Sequence, residues 1–502
     1  MPVQEELIDA LSTEHLHADL KGRSVRGVSL TLISQGARFV LQFASTVILA
    51  RLLTPADFGL VAMVTAITGL ASAFQDLGLS EATIQRPEIN HAQVSTLFWI
   101  NAAIGIGLMM ITASLAPFLA WFYHEPRLKD ITLLLSVSFL FSGLTVQHGA
   151  LLKRQMRFTA LGIRDVASLA LALPVGLILA WRGAGYWAIV AVPLTTNFTL
   201  MALSWMMFRW MPSLPRRGTQ VGSMVAFGGS IATSYLLMNL MRSADSILIG
   251  RYLGAVPLGL YSRAFNLVMQ PARQLFDPVA NVAIPAFSRL QDDPERFARY
   301  YLRTINLMAW VSASVFGFLF VAAEPVTLLV LGNKWRAAAP VFQILAILAF
   351  AQLPYGSTIW LFVSRGQSRK LLNFALVTSP ILIASYLIGL PFGIRGVALS
   401  GSLVQLAILP WVLKYAFAGT PLTLPRFGQA MLYPTSVCLA GVFFAELALH
   451  FVAPQHIVPQ LVVAAIGFGI AYLLSVLMPS VREEVFSLGK LLSELRLRRQ
   501  AT

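Results

Sequence analysis

Runs of roughly 20 apolar residues alternate with short polar breaks from Val28 to Met478, and a run of that length is what an α-helix needs to cross a bilayer core of about 30 Å. The runs fall at about 28–50, 58–80, 93–119, 129–150, 163–181, 185–208, 222–249, 258–285, 300–322, 337–363, 371–392, 395–417, 428–450 and 455–478. Lipid offers no partner to backbone N–H and C=O groups, so each run must close its own hydrogen bonds as a helix. A texture with a 3.6-residue period excludes the alternation of a membrane barrel. The expected fold is an all-α polytopic membrane protein with about fourteen transmembrane helices.

Polar positions inside these runs recur on single helical faces. In the first run Thr31, Gln35, Arg38, Gln42 and Ser45 are spaced by four, three, four and three residues, which places them on one side. In the second, Thr65, Thr68, Ser72 and Gln75 repeat the pattern, with Asp76 beside them. The seventh run carries Arg242 and Asp245, and the eighth carries Arg263, Asn266, Gln270, Arg273, Gln274, Asp277 and Asn281. A charge at the middle of a spanning helix costs about 2.5–3.5 kcal/mol on insertion scales. These side chains should therefore face protein or water.

Arg38, Arg242, Arg263 and Arg273, with Gln35 and Gln42, are the candidate substrate-binding groups, because the guanidinium fork matches phosphate oxygens. A structural alternative stands beside this: Arg242 with Asp245, and Arg273 with Asp277, lie at spacings where each pair could neutralise itself. Arg263 lies nearest the outer interface, where its side chain could snorkel to water. Asp76, Asp245 and Asp277 are the candidates for coupling to a proton or sodium ion. Pro271, Pro278 and Pro285 recur every seven residues. Pro271 and Pro278 are hinge candidates, with static curvature as the alternative.

An internal repeat organises the chain. Residues 48–60 superpose on 248–260 without a gap, matching Arg51 to Arg251, Leu53 to Leu253, Gly59 to Gly259 and Leu60 to Leu260. Residues 183–189 superpose on 393–399, matching Gly183 to Gly393 and Ala188 to Ala398. Two six-helix bundles follow, at 28–208 and 222–417, joined by a basic, proline-containing linker at 209–221. An even number of crossings per half makes the repeats parallel. Helices 13 and 14 (418–478) are appended. Residues 1–27 and 479–502 are tails, the second of interfacial character. The polar faces of the two halves are expected to meet at a central cavity.

Composition narrows the chemistry. With 57% hydrophobic and 12% charged residues, no soluble domain of ordinary size fits between the runs. Lys and Arg concentrate in alternate breaks such as 153–164, 209–217, 289–303 and 365–370, and in the C-terminal tail, which puts both termini in the cytoplasm. The formal charge of +15 follows from this topology and from contact with anionic membrane lipids, so nucleic-acid binding is an unnecessary explanation. Residues 1–27 are not a signal peptide. Cys438 stands alone, and no phosphate loop, HExxH or Gly-x-Ser-x-Gly elbow occurs. No enzymatic activity, catalytic residue, cofactor or metal site is expected. Trp99, Trp121, Trp187, Trp335 and Trp411 fall near segment ends, as in an interfacial aromatic belt.

Several stretches carry a family resemblance: LARLLTPADFGLVAM (49–63), FQDLGLSEATIQR (74–86), LFWIN (97–101), LLKRQMRF (151–158), IGRYLGAVPLGLYSRA (249–264) and IPAFSRLQDD (284–293). The chain resembles the polysaccharide transporter family of the MOP flippase superfamily, in particular its Wzx-like branch. The resemblance implies a MATE-like, V-shaped flippase of the bacterial inner membrane. Such a protein moves an oligosaccharide linked to undecaprenyl diphosphate to the periplasmic leaflet by alternating access. The product serves lipopolysaccharide, O-antigen or exopolysaccharide synthesis, with polysaccharide-biosynthesis proteins as possible partners. A MATE-type drug exporter, the alternative, needs an acidic rather than an arginine-rich cavity. A polymerase or ligase would need a large outside catalytic loop, which the short predicted breaks do not offer.

Overall fold

The computed structural model describes residues 20–215 apart from 77, 87 and 88, together with residues 243–475 and 477. Arg242, most of the predicted segment 222–249, part of the linker and most of both tails lie outside the described residues. Among the described residues all regular structure is helical. In chain order the helices are α1 (Leu20–Leu52), α2 (Pro55–Ala71), α3 (Leu79–Gln85), α4 (His91–Ser114), α5 (Ala116–Tyr123), α6 (Leu128–Arg154), α7 (Phe158–Trp181) and α8 (Tyr186–Met207). There follow α9, whose described part is 243–253, then α10 (Ala255–Arg289), α11 (Pro294–Val321), α12 (Ala323–Leu331), α13 (Ala339–Ser364), α14 (Ser368–Gly389), α15 (Gly393–Phe417), α16 (Leu424–Val452) and α17 (Ile457–Ser475).

Ten helical stretches among the described residues are long and apolar enough to cross a membrane. Helix covers most of every predicted segment other than 222–249, in one piece or two; that segment belongs to the expected total of fourteen and lies mostly outside the described residues. Boundaries differ where the chain supplies a cap or a break. α1 is helical from the first described residue, Leu20, which lies within the stretch assigned to the N-terminal tail. The predicted segment 58–80 is two helices: α2 ends at Ala71, a 3-10 turn covers Ser72–Phe74, and α3 starts after Gly78 at φ +67°. That left-handed residue costs glycine little and other residues more. The predicted segment 93–119 divides at Leu115, with Pro117 in the first turn of α5. Proline lacks the N–H that a continuing helix would use there.

The chain packs as two compact units dividing between Ser262 and Arg263. In the first, α1 lies on α7, α4 on α6, and α8 on both α6 and α7. Between helices in lipid there is no water to expel, so close van der Waals approach must hold the bundle, and small residues permit it. Gly105 of α4 and Gly143 of α6 meet reciprocally. A Cβ on Gly105 would stand 2.7 Å from the Phe139 carbonyl oxygen, and one on Gly143 2.6 Å from that of Asn101.

A second reciprocal crossing joins the N-terminal turns of α2 and α10. A Cβ on Gly59 would lie 1.8 Å from the Ala255 carbonyl oxygen, and one on Gly259 the same 1.8 Å from that of Pro55. Pro55 to Ala255 and Gly59 to Gly259 are both steps of 200 residues, the offset of the sequence repeat. The start of α2 is fixed by a capping box in which the Thr54 N–H donates to Asp57 Oδ2 (2.9 Å) and the Asp57 N–H to Thr54 Oγ1 (3.4 Å). Such a cap contributes about 1 kcal/mol.

In the second unit α11, α13 and α15 surround Phe287, Phe297, Tyr301, Phe417 and Phe427. The α16–α17 hairpin docks on α11 through Ala445 and Phe468, and the Cys438 thiol donates to the Ala313 carbonyl (3.2 Å). Trp335, expected in the aromatic belt, is instead wholly buried. It sits in a 3-10 turn (Asn333–Ala338) that folds inward ahead of α13. Trp99, Trp121 and Trp411 are exposed.

Candidate functional site

In the first unit the polar face of α1 is open at Gln35 and Gln42, while Arg38 is half-buried. Arg38 has a partner that no local spacing announces: its Nη1 donates to Asp165 Oδ2 of α7 at 3.2 Å. Arg164 holds the other carboxylate oxygen, donating from Nε (2.9 Å) and Nη2 (2.8 Å) to Oδ1. It reaches Ser204 Oγ of α8 at 3.3 Å. Two guanidinium groups thus share one carboxylate, and the set keeps one positive charge in excess. Arg164 is buried and Arg38 is not, so α1 presents the accessible end of the triad. Asp165 lies within the predicted run 163–181, but a partner on another helix leaves no local spacing that would single it out.

Asp76 lies in the break between α2 and α3. Its carboxylate accepts from the Ser80 backbone N–H (2.9 Å) and, in a short contact, from the Ser80 hydroxyl. Those bonds give it a local role in starting α3. Asp245 of α9 is buried, accepting from the Tyr261 hydroxyl (2.7 Å) and the Ser246 N–H (2.6 Å). Tyr261 lies two residues beyond Gly259, so this carboxylate is anchored beside the glycine crossing. Neither contact was legible in the spacing that selected Asp245.

In the second unit α10 turns Ala283 and Phe287 into the aromatic core. Its other face leaves Asn266, Arg273, Gln274, Asp277 and Asn281 exposed and Gln270 half-buried. Arg263 is half-buried at the start of this unit. Arg273 and Asp277 form no ion pair among the described residues, so the self-neutralising arrangement at this spacing is absent. Pro271, Pro278 and Pro285 lie within one unbroken helix. No cluster of His, Cys, Asp or Glu fit to hold a metal occurs among the described residues.

A helix that buries aromatic residues along one side and exposes an arginine and an aspartate along the other cannot give that second side to hydrocarbon. Such a side meets water, a polar cargo or other protein. The fold is one seen in membrane transporters. It superposes on the lipid II flippase MurJ in an inward closed conformation, with a TM-score of 0.69 at 11% identity, covering 89% of this chain and 99% of MurJ. It also superposes on an inward-facing multidrug resistance MATE family transporter of the MOP superfamily, with a TM-score of 0.55 at 12% identity, covering 79% of this chain and 94% of the transporter.

Sequence narrows the class: residues 48–340 match the family described as polysaccharide biosynthesis protein, and the chain belongs to that family. Its relatives include the teichuronic acid biosynthesis protein TuaB of Bacillus subtilis, 26% identical over 95% of this chain and 99% of TuaB. The lipopolysaccharide biosynthesis protein WzxC of Escherichia coli is 24% identical over 79% of this chain and 81% of WzxC. The succinoglycan biosynthesis transport protein ExoT of Rhizobium meliloti is 25% identical over 76% of each chain. The protein is a multi-pass membrane transporter and not an enzyme.

Proposed function

We propose that this protein flips a lipid-linked oligosaccharide, carried on undecaprenyl diphosphate, across the bacterial inner membrane for lipopolysaccharide, O-antigen or exopolysaccharide synthesis, with both termini in the cytoplasm. Family membership and relatives named for cell-surface polysaccharides support the cargo class. The observation that carries the reading is an accessible arginine on each of two helices: Arg38 on α1, half-buried in a triad that retains a net positive charge, and Arg273 on α10, exposed and without a carboxylate partner among the described residues. A diphosphate needs such forked donors, and a cationic drug would be repelled by them. Gln35 and Gln42, open on the same face as Arg38, supply neutral hydrogen bonds to sugar hydroxyls.

Energy comes from an ion gradient or from consumption of the product outside. Asp245 is the best placed of the three carboxylates for a proton, because its environment is buried and its Tyr261 partner can donate to it or release it. Asp277 is exposed and Asp76 is engaged with Ser80. Purified protein in vesicles loaded with a fluorescent lipid-linked oligosaccharide tests the reading. The labelled headgroup should become accessible to an impermeant quencher faster than in protein-free vesicles. Equal rates with and without the protein would overturn it, as would transport of an organic cation under the same conditions.

A further inference from the structure

From Pro325 to Ala445 the chain contains no Asp or Glu, yet one end of the α14–α15 hairpin carries a concentration of cations. Arg365 is occupied: its Nη1 and Nη2 donate to the Ala418 (3.3 Å) and Gly419 (2.9 Å) carbonyls just beyond α15. That contact brings the start of α14 and the end of α15 to the same membrane face. Arg369 and Lys370, in the first turn of α14, and Lys414, in the last turn of α15, form no ion pair with any described residue. Arg369 and Lys414 are exposed and Lys370 is half-buried.

Beside these cations, with Lys414 between two of its lining residues, a groove of about 310 Å³ opens between the two helices, lined by Asn373, Leu376, Val377, Trp411 and Tyr415. Trp411 and Tyr415 stack with ring centroids 5.7 Å apart and planes at 10°. Arg369 and Lys370 precede Asn373 by four and three residues, and Lys414 follows Trp411 by three, so helical periodicity sets the three cations along the groove's rim. The groove is apolar below, amphipathic at its aromatic wall and cationic above. That gradient is the cross-section of a lipid at the interface.

We infer that this groove binds one anionic glycerophospholipid. Its acyl chain lies against Leu376, Val377 and the Trp411 ring, Asn373 donates to the ester region, and the headgroup phosphate is held by Arg369, Lys370 and Lys414. The charge complementarity selects an anionic headgroup over a zwitterionic one.

The test is quenching of Trp411 in the full-length protein by lipids brominated on their acyl chains, with the Trp411→Phe chain measured in parallel to isolate that tryptophan's signal. Brominated phosphatidylglycerol diluted into phosphatidylcholine should quench Trp411 at several-fold lower mole fraction than brominated phosphatidylcholine. Each of Arg369→Gln, Lys370→Gln and Lys414→Gln should weaken that preference up to about fivefold, and the triple substitution should abolish it. Equal quenching by the two brominated lipids in the unsubstituted protein would overturn the inference whatever the variants do. Displacement of brominated phosphatidylglycerol by an equal mole fraction of polyprenyl phosphate would also overturn it, assigning the groove to an isoprenoid carrier instead.

Discussion

Two polar faces run through apolar helices of this protein, and the chain treats their charges differently. On α1 Arg38 shares Asp165 with the buried Arg164, so its position is fixed by a neighbouring helix and only part of its charge is spare. On α10 Arg273 and Asp277 stand a turn apart, exposed and without an ion pair among the described residues, while the opposite side of the helix fills an aromatic core. A charge clamped by a second helix contributes to the bundle as well as to any cargo. A charge left open gives the bundle little, so its retention within a membrane helix points to what lies outside the bundle.

This contrast has measurable consequences for stability and flipping. The largest effect should come from Asp165→Asn, which leaves two guanidinium groups facing each other without a carboxylate. Breaking a buried pair costs about 3–5 kcal/mol, and because Asp165 is partly open a loss of about 2–3 kcal/mol is expected in thermal unfolding of the detergent-solubilised protein. Arg273→Ala should leave that unfolding transition unchanged while slowing flipping roughly tenfold, the value of one charge-assisted hydrogen bond. Arg38→Ala should do some of both: a stability loss within about 1 kcal/mol and clearly impaired flipping. Equal thermal losses for Arg38→Ala and Arg273→Ala would erase the distinction between the two faces.

Smaller effects sharpen it. Asp76→Ala should cost about 1 kcal/mol as a lost start of α3, and flipping that survives in the folded variant removes Asp76 from ion coupling. Outside the membrane, Glu125 in the loop before α6 is held below the usual carboxylate range by the Arg127 guanidinium, which it meets bidentately at 2.8 Å. Its folded value is depressed, so the stabilisation is fully present above the unfolded value of about 4.3. It is lost as pH falls through the folded value. With Arg127 half exposed, Glu125→Gln should move the unfolding midpoint only slightly at neutral pH and not at all in strong acid.

Length and apolarity made most of the fold legible: a run of about 20 residues without charges has one viable structure in lipid. The break at 72–78 was not legible, because Asp76 and Gly78 sit within an otherwise apolar stretch and hydropathy averages over them. Trp335 misled for a related reason, since position near a segment end does not say whether a turn folds inward. The repeat superposed Gly59 on Gly259, and both prove to be crossing residues, because a glycine at a backbone contact leaves its mark in composition. Of the candidate groups, the exposed face of α10 followed from periodicity alone. Asp165 and Tyr261 did not, as a partner across helices leaves no local spacing. Arg242 lies outside the described residues.

The most direct test asks whether the α10 face is wet within the membrane and covered by cargo. In a Cys438→Ala chain, Gln274→Cys should react in membranes with an impermeant thiol reagent, and a lipid-linked oligosaccharide should slow that reaction severalfold, while Leu387→Cys on an apolar exposed position stays unreactive. No reaction at position 274, or reaction at a rate indifferent to the oligosaccharide, would contradict a water-lined, arginine-bearing path for the glycolipid headgroup.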